Sequence, residues 1–304
     1  MTSNLHISDE VREAVAAGRP VLALESTIFT HGLPRPHNLE LALKTEEQVR
    51  ALGVVPATIG VVRGRPTVGL SADEITELSN DDTAVKASLR DLPIAMGKGL
   101  SAGTTVAATG YLASLAGVKV FSTGGLGGVH HGAETTFDES ADLGTLASLP
   151  LVVVSAGVKS ILDIGLTLER LETLNLGIVG YGTTQYPGFY ISDSGFSIEY
   201  SVETPEEVAR IAAARDDLGI RSTLLVANPV PEDQQLDPKL HDEVLAKAWA
   251  AAAEQGIAGH DTTPFLLSYI TDTTGGESMR ANLAAYANNV AVGANIAAAI
   301  SAAK

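Results

Sequence analysis

The chain has 304 residues, of which 45% are hydrophobic and 18% are charged, and this size and composition are enough for a large hydrophobic core. Its 36 acidic and 20 basic residues give a formal net charge of −16, so the surface repels the phosphates of nucleic acids and anionic membranes. The lack of cysteine excludes disulfides, thiolate catalysis and zinc–thiolate sites. We expect neither nucleic acid nor a membrane as a partner, and an anionic substrate would need a local cluster of donors.

Both ends of the sequence bear on where the protein works. Residues 1–8 lack the basic start and the apolar stretch of a secretory signal, so we expect a cytoplasmic protein, which also suits a chain without cysteine. The most apolar long segment, residues 284–303, is mostly alanine and is interrupted by asparagines. This pattern predicts a buried helix of a soluble protein rather than a membrane span.

The first part of the chain predicts short helices and apolar strands. A helix is expected after Ser8, and the apolar run 21–24 is too short for a helix and predicts a buried strand. Asn38 is predicted to cap a helix that ends near residue 53. The β-branched runs on either side of residues 63–66 predict a hairpin, and Ser71 begins a capping box for a further helix.

The centre of the chain alternates between helix and strand. Helices are predicted at 103–115, after Ser140, at 160–174 and after Thr204, and strands at 118–122, 151–154, 176–179 and 222–227. Strands separated by helices of about 10–15 residues indicate crossover connections and a mainly parallel sheet. Alanine-rich helices after Asp237, Thr263 and Gly276 are expected to cover it. The predicted class is α/β, with three α/β/α layers around a mainly parallel or mixed sheet. Since neither a linker nor a composition shift divides the chain, we expect residues 1–304 to form a single domain.

Two ionisable residues follow predicted strands. Glu25 comes directly after the run 21–24, and Lys159 comes shortly after the apolar run 152–154. Ligands of open α/β sheets bind at the carboxyl ends of strands, so a carboxylate there can do acid–base work and a buried lysine can be a nucleophile. Each residue also has an ordinary structural interpretation. Glu25 could cap a turn or pair with a lysine, and Lys159 could reach solvent from the start of a helix.

A glycine-rich run at residues 124–132 follows the predicted strand 118–122. Glycines allow backbone amides to approach an anion closely, but the spacing matches neither the dinucleotide fingerprint nor a Walker A loop. Tight turning explains the glycines equally well. His130 and His131 at the end of the run could be ligands, phosphate donors or structural residues.

Asp138, Ser140 and Asp142 alternate just before a predicted helix. One interpretation is structural, with Ser140 or Asp138 as the helix N-cap. The other is a site for a hard cation, because Mg²⁺ and Mn²⁺ prefer oxygen ligands and keep several waters. A single aspartate could then be enough.

Together these segments resemble the pseudouridine-5'-phosphate glycosidase family, also called the indigoidine synthase A family. The resemblance extends from Val21 to about Ala297. Its motifs include Glu25-Ser26-Thr27 with His31-Gly32, Thr104-Thr105-Val106, Thr136-Phe137-Asp138, Lys159-Ser160-Ile161-Leu162-Asp163 and Val226-Ala227-Asn228-Pro229. It implies a glycosidase or lyase that reversibly converts pseudouridine 5'-phosphate to uracil and ribose 5-phosphate. It also implies Mn²⁺ as cofactor and a homotrimer.

The resemblance further implies roles for particular residues. Glu25 would be the proton donor, Lys159 the covalent nucleophile and Asp138 the manganese ligand. Substrate contacts carry over to Lys86, Val106, Ser140, Ala141, Asp142 and Asn282, and on the phosphate side to Thr123 and His130. Many relatives have an arginine after the histidine of the glycine run, and this chain has His131 there, which removes a permanent forked cation.

The implied chemistry explains why an acid and a lysine are needed together. Pseudouridine joins ribose C1' to uracil C5, so the leaving group is a carbon atom. A lysine bonded to C1' of the opened sugar becomes a protonated imine as the carbon–carbon bond breaks, while Glu25 delivers a proton to C5.

Three alternatives remain open at this point. The first is another Schiff-base lyase acting on a sugar phosphate, which would not need Asn282. The second is a noncatalytic sugar-phosphate sensor, which would tolerate loss of Glu25 and Lys159. The third is a ribokinase-like sugar kinase, which is disfavoured because no nucleotide-phosphate loop is recognisable.

Overall fold

The computed structural model describes residues 4–257 and 262–303. Residues 1–3, which begin the segment considered above as a possible secretory signal, lie outside this range. In chain order the elements are β1 (His6–Ile7), α1 (Asp9–Ala16), β2 (Val21–Leu24), α2 (Thr27–Thr30), α3 (His37–Ala51), β3 (Val55–Val62), β4 (Arg65–Val68), α4 (Ala72–Asn80), β5 (Val85–Ala87), a 3₁₀ helix (Leu89–Asp91), α5 (Leu92–Lys98), β6 (Ala102–Thr104), α6 (Val106–Leu115), β7 (Val120–Ser122), α7 (Ala133–Thr136), α8 (Ala141–Leu146), β8 (Val152–Ser155), α9 (Ile164–Thr173), β9 (Gly177–Tyr181), β10 (Ser201–Val202), α10 (Pro205–Asp217), β11 (Leu224–Ala227), α11 (Pro238–Glu254), α12 (Thr262–Thr273) and α13 (Glu277–Ala302).

The strands form one mixed sheet that is mainly parallel, as the sequence predicted. Its order is β1-β4-β3-β2-β7-β8-β11-β9-β10, and all neighbours from β3 to β10 along this path are parallel. The predicted hairpin is confirmed as the antiparallel pair β3 and β4. Strand β6 also pairs antiparallel with β3, and β5 adds to β6.

Helices cover both faces of the sheet, which confirms the three-layer α/β/α class. On one face α1, α6, α8 and α9 pack against side chains such as Ala23 and Val153. On the other face α3, α10 and α13 pack against their sequence neighbours Leu24 and Val154. Successive side chains of a strand point to opposite faces, so the central strands are buried on both sides and consist of continuous apolar runs.

The long C-terminal helix α13 lies on the sheet. It is long and apolar enough, by length and composition alone, to cross a membrane, but half of its most apolar window is buried inside the protein. It packs against β2, β7 and β8 and against α3 and α10. Asn289 is fully buried within it. The structure therefore agrees with the buried helix predicted for residues 284–303.

The predicted cap at Asn38 is wrong. Helix α3 begins one residue earlier, and Asn38 lies inside it as a buried residue. Its side-chain amide donates to the carbonyls of Phe29 at 2.8 Å and Ser79 at 2.9 Å. An amide side chain can bind distant carbonyls as well as nearby backbone, and the tertiary contacts decide its role here.

Two predicted helices start later than expected. Residues 102–104 form β6, so α6 begins at Val106 and not at residue 103. Helix α9 begins at Ile164 and not at residue 160, because the side chain of Asp163 caps it by accepting from the amide of Leu166 at 2.9 Å. The second difference leaves Lys159 in the loop between β8 and α9.

Candidate active site

The site lies at the carboxyl ends of three adjacent parallel strands, β2, β7 and β8. Glu25 is the residue after β2, Thr123 is the residue after β7, and Lys159 follows β8 after a short turn. Parallel strands end at the same edge of a sheet, so residues distant in the chain meet there. The structure thus brings Glu25, Thr123 and Lys159 together.

Glu25 is buried, with 9% of its surface exposed. One of its carboxylate oxygens accepts a short hydrogen bond from the hydroxyl of Thr123. Burial raises the pKa of the Glu25 carboxyl, and the positive charge of Lys159 and the Thr123 hydrogen bond oppose this rise. Burial disfavours the ionised form, so Glu25 keeps its proton to a higher pH than an exposed glutamate would.

Lys159 is half-buried, and its ammonium group donates a hydrogen bond of 2.9 Å to the carbonyl of Gly125. Its backbone amide donates to the carbonyl of Leu126 at 3.1 Å. Both partners belong to the glycine-rich run that follows β7. The side chain is therefore directed at this run, and the interpretation in which Lys159 reaches solvent from a helix start does not fit.

Lys86 lies at the rim of the site on β5. Its side chain is exposed, yet the protein around its ammonium group and the charge of Lys159 lower its pKa, while Asp142 and Glu25 oppose the shift. Within the described part of the chain, no hydrogen bond or ion pair ends on this ammonium group. It is thus available to an anionic ligand.

Two histidines lie near Lys86. Burial lowers the pKa of His130, and so do the charges of His131 and Lys86, whereas Asp138 opposes the shift. Burial and the charge of Lys86 also lower the pKa of His31. In the sequence, His31 is part of a family motif and no role in the site was expected for it.

Asp142 joins two parts of the site through its carboxylate. One oxygen accepts from the amide of Ala107 in the first turn of α6, and the other from the amide of Gly127, each at 2.9 Å. Ser140 caps α8 by accepting from the amide of Asp142 at 3.2 Å, which is the structural role considered from the sequence. The carboxylate thereby fixes the start of α6 to the glycine-rich run.

Val106 and Ala141 are the first residues of α6 and α8. Val106 is buried and Ala141 is exposed. Both therefore lie at helix starts near Asp142, and their predicted contact with substrate stays a prediction.

Close packing accounts for the glycines at 125, 127 and 128. A Cβ atom on Gly125 would lie 2.5 Å from the ring of Phe189, and one on Gly128 would lie 2.5 Å from the hydroxyl of Thr167. A Cβ atom on Gly127 would overlap the hydroxyl of Ser140. Within the run, the amides of residues 126, 127 and 129 are already bound by Gly157, Asp142 and Thr167 respectively. These amides do not form an anion cradle.

Asp138 is half-buried beside His130, whose backbone amide donates to the Asp138 carbonyl at 3.0 Å. No hydrogen bond between described residues ends on the Asp138 carboxylate. Residues 4–257 and 262–303 contain no group of three or more His, Cys, Asp or Glu that could hold a metal ion. The donors present fit a hard cation that keeps most of its ligands as water, and they do not fit a fully protein-coordinated metal.

The side chain of His131 contacts two residues of the neighbouring helices. Its Nδ1 lies 3.6 Å from a carboxylate oxygen of Asp163, and its ring meets Trp249 edge-on at a centroid distance of 5.1 Å. In this position His131 joins the glycine-rich run to α9 and α11.

Helix α13 contributes two asparagines to the site. A Cβ atom on Gly124 would lie 3.4 Å from the side-chain oxygen of Asn282, so the predicted contact residue borders the glycine-rich run. Asn289 was not predicted. Its side-chain amide donates to the carbonyls of Thr123 at 2.8 Å and Gly124 at 3.2 Å. The signal available in the sequence was a polar residue that interrupts an apolar helix.

The chain matches a known protein family over almost its whole length. The sequence profile of the family described as "Indigoidine synthase A like protein" matches residues 10–299. The chain belongs to this family. The motifs quoted from the sequence were therefore assigned correctly.

Several family members with curated names are very similar over almost the whole chain. A protein of Saccharopolyspora erythraea named pseudouridine-5'-phosphate glycosidase is 65% identical, over 96% of this chain and 96% of its own length. A protein of the same name from Frankia alni is 54% identical, over 97% of this chain and 82% of its own length.

Two solved structures have the same fold as this chain. The prealnumycin C-glycosynthase AlnA, solved in complex with ribulose 5-phosphate, is 34% identical with a TM-score of 0.92, and the match covers 100% of this chain and 99% of AlnA. An indigoidine synthase A-like protein from Thermotoga maritima is 35% identical with a TM-score of 0.89, over 99% and 98% of the two chains.

Proposed function

We propose that the protein is a pseudouridine-5'-phosphate glycosidase that uses Glu25 as proton donor and Lys159 as covalent nucleophile. The observation that carries this function is the pairing of a buried carboxyl of raised pKa with a lysine at the same edge of the sheet. The name shared by relatives up to 65% identical supports the substrate.

Lys159 would attack as a neutral amine. The nitrogen bonds to ribose C1', the bond between C1' and the ring oxygen breaks, and the ring oxygen takes up a proton. The nitrogen lone pair then forms the carbon–nitrogen double bond of a protonated imine as the bond from C1' to uracil C5 breaks. The hydrogen bond from Lys159 to Gly125 holds the side chain in the site before the substrate arrives.

Glu25 would supply the proton that uracil C5 needs as the carbon–carbon bond breaks. A general acid is effective when it is still protonated near the working pH, and burial moves the pKa of Glu25 in that direction. Water then hydrolyses the imine, which releases ribose 5-phosphate and regenerates the amine. Overall, one water is consumed for each bond cleaved.

Lys86 would bind the phosphate of the substrate. Its ammonium group has no partner within the described residues, and two histidines lie near it. Charge-assisted hydrogen bonds from Lys86 would offset the repulsion between the phosphate and a chain of net charge −16, and the histidines could add neutral hydrogen bonds. The occupied amides of residues 126, 127 and 129 do not contribute.

Asp138 would hold a divalent cation, for which Mn²⁺ is our choice. A hydrated cation at this place would shield negative charge on the substrate or its leaving group. The free carboxylate of Asp138 and the neighbouring His130 support this role.

The similarity to AlnA favours one related candidate, in which this site forms a carbon–carbon glycosidic bond rather than breaking it. AlnA is described as a C-glycosynthase and was solved with ribulose 5-phosphate. A reversible enzyme with Lys159 and Glu25 can use the same residues in both directions. We favour the glycosidase because the two relatives of that name described above are 65% and 54% identical to this chain, against 34% for AlnA.

The proposal includes a homotrimer of single-domain chains that works in the cytoplasm. The trimer is what the resemblance to the family implies. The lack of cysteine supports a reducing compartment.

The test of the proposed function is direct. The purified protein is incubated with pseudouridine 5'-phosphate and Mn²⁺, and the release of uracil and ribose 5-phosphate is followed. We expect equal amounts of both products and no release from uridine 5'-phosphate under the same conditions. Absence of uracil release with Mn²⁺ or Mg²⁺ present would refute the proposal.

A further inference from the structure

The backbone of residues 123–125 connects the two proposed reacting side chains. At one end, the hydroxyl of Thr123 donates to the carboxylate of Glu25. At the other end, the carbonyl of Gly125 accepts from the ammonium group of Lys159 at 2.9 Å. A movement of this three-residue segment would therefore move the partners of both the acid and the nucleophile.

Asn289 of α13 holds the middle of that segment. Its Nδ2 group donates to the carbonyls of Thr123 and Gly124 at 2.8 and 3.2 Å. The carbonyl of Gly124 also accepts from the amide of Ala156, at 2.9 Å, in the stretch that leads from β8 to Lys159. The Gly124 carbonyl is thus shared between the side chain of Asn289 and the stretch that follows β8.

The rest of Asn289 is also fixed. The residue is fully buried, and its Oδ1 accepts a hydrogen bond of 2.9 Å from the side-chain amide of Asn228, which follows β11. Its backbone carbonyl accepts from the hydroxyl of Ser122 at 2.9 Å. Both protons of the side-chain amide and its oxygen are used, so the side chain has one orientation in which all its groups are satisfied.

We infer that Asn289 is a positioning residue that sets the geometry of Glu25 relative to Lys159 by fixing residues 123–125. The inference rests on the proposed function of the two reacting residues. Asn289 touches neither carboxylate nor ammonium group and acts only through the backbone that they contact. Such a residue is expected to affect turnover much more than the affinity for the sugar phosphate, because Lys86 lies on a different strand.

The leading test variant is Asn289→Leu, which keeps a similar volume and removes both donors. We expect kcat to fall roughly tenfold to a hundredfold, the usual size for a small misplacement of reacting groups. The dissociation constant of ribose 5-phosphate should change less than about threefold. The matched control is Asn288→Ala on the same turn of α13, whose side chain donates instead to the carbonyl of Pro229 at 3.1 Å. The control should retain its kcat.

The pH profile separates positioning from a general loss of structure. Burial raises the pKa of Glu25, and the charge of Lys159 and the Thr123 hydrogen bond lower it; Asp142 and Lys86 are the other charged groups that act on it. Loosening Thr123 should raise that pKa further. Because the protonated acid is the active form, the fall of kcat at high pH should move to higher pH in Asn289→Leu.

The same shift is expected in Thr123→Val, which removes the hydroxyl directly. Combining Thr123→Val with Asn289→Leu should add little to the shift, since Asn289 acts on Glu25 through Thr123.

If Asn289→Leu does not fold, as judged by its far-UV circular dichroism, Asn228→Ala takes its place. It removes the bond to Oδ1, and a smaller fall of kcat with the same direction of pH shift is expected.

Several outcomes would overturn the inference. They are an unchanged kcat in folded Asn289→Leu, a fall of kcat without the pH shift, or shifts that simply add in the double variant. A wild-type protein that releases no uracil would instead count against the proposed function.

Discussion

The buried half of the site and its exposed rim use their polar atoms differently. In the buried half, Glu25 and Lys159 each have a direct hydrogen bond to the segment 123–125, which Asn289 fixes in turn. At the rim, the charged ends of Lys86 and Asp138 have no hydrogen bond from the described residues. The protein thus satisfies the groups proposed to react and leaves free the groups proposed to bind.

This difference has a physical reason. A reacting group must be held in one geometry, and buried hydrogen bonds provide that at low entropic cost once the protein has folded. A group that binds phosphate or a hydrated metal must exchange water for the ligand, and an existing protein partner would compete with it. Substitutions in the buried half should therefore change turnover, and those at the rim should change affinity.

The largest effect is expected for Lys159. Both Lys159→Ala and Lys159→Arg should release no measurable uracil, because neither has an amine that can attack, and a guanidinium keeps its charge. Borohydride reduction with ribose 5-phosphate should trap one sugar-phosphate adduct on the wild-type peptide that contains Lys159. The adduct should be absent in Lys159→Ala. An adduct on Lys86 or Lys98, or normal turnover in Lys159→Ala, would contradict the mechanism.

A smaller but still large effect is expected for Glu25→Gln. The amide keeps the shape of the carboxyl and cannot donate its proton, so kcat should fall by roughly 10²–10⁴ with little change in substrate affinity. The wild-type kcat should decline as the pH rises through the raised pKa of Glu25, since ionisation removes the acid. That basic decline should disappear in Glu25→Gln. Near-normal turnover would leave Glu25 with a structural role only.

At the rim, Lys86→Ala should act on affinity. A charged hydrogen bond contributes roughly 1.5–3 kcal/mol, so binding of ribose 5-phosphate should weaken about tenfold or more, while binding of ribose should not change. Isothermal titration with both sugars measures this difference. The exposed Lys98 offers a control, because Lys98→Ala should bind both sugars as the wild type does. Equal affinity of the wild type for the two sugars would rule out a phosphate site here.

The smallest effect on turnover is expected for Asp138→Asn, which should change the response to Mn²⁺ and leave the rate without metal unaltered. The change removes a charge without altering volume, so the rate without metal and the melting temperature should stay close to those of the wild type. The concentration of Mn²⁺ needed for half-maximal activation should rise at least about tenfold, in line with the loss of a carboxylate ligand. Glu134→Gln in the neighbouring α7 is a suitable control. Identical metal titrations for Asp138→Asn and wild type would remove Asp138 from this role.

The sequence predicts the central layer of the fold well because its signals are local. The apolar runs at 21–24 and 152–154 are buried strands, and the capping box at Ser71 is present with both of its hydrogen bonds. Elements whose structure depends on distant contacts were missed. Strand β5, which carries Lys86, has no apolar pattern and exists because it pairs with β6.

The residues of the site also divide into those that local sequence signals predict and those that only distant contacts explain. The position of Glu25 directly after an apolar strand predicts its place at the sheet edge, and family motifs indicate Lys159. Strand order is not visible in the sequence, so the bond between Glu25 and Thr123, 98 positions apart, was not predicted. Asn289 was interpreted as an interruption of an apolar helix, because only the tertiary structure shows the two carbonyls that its side chain binds.

The adjacency of β2, β7 and β8 has a consequence for how this chain tolerates change. The spacing of neighbouring strands is about 4.8 Å and is set by backbone hydrogen bonds that are the same for every side chain. The chain between the acid and the nucleophile includes strands of the sheet, and helices and loops on the outside of the sheet connect them. Insertions or deletions in those outer connections can alter the length of the protein by many residues without altering the separation of the two strand ends. The distance between the two reacting residues thus depends on the spacing of neighbouring strands, and the sequence of the outer connections can diverge without changing it.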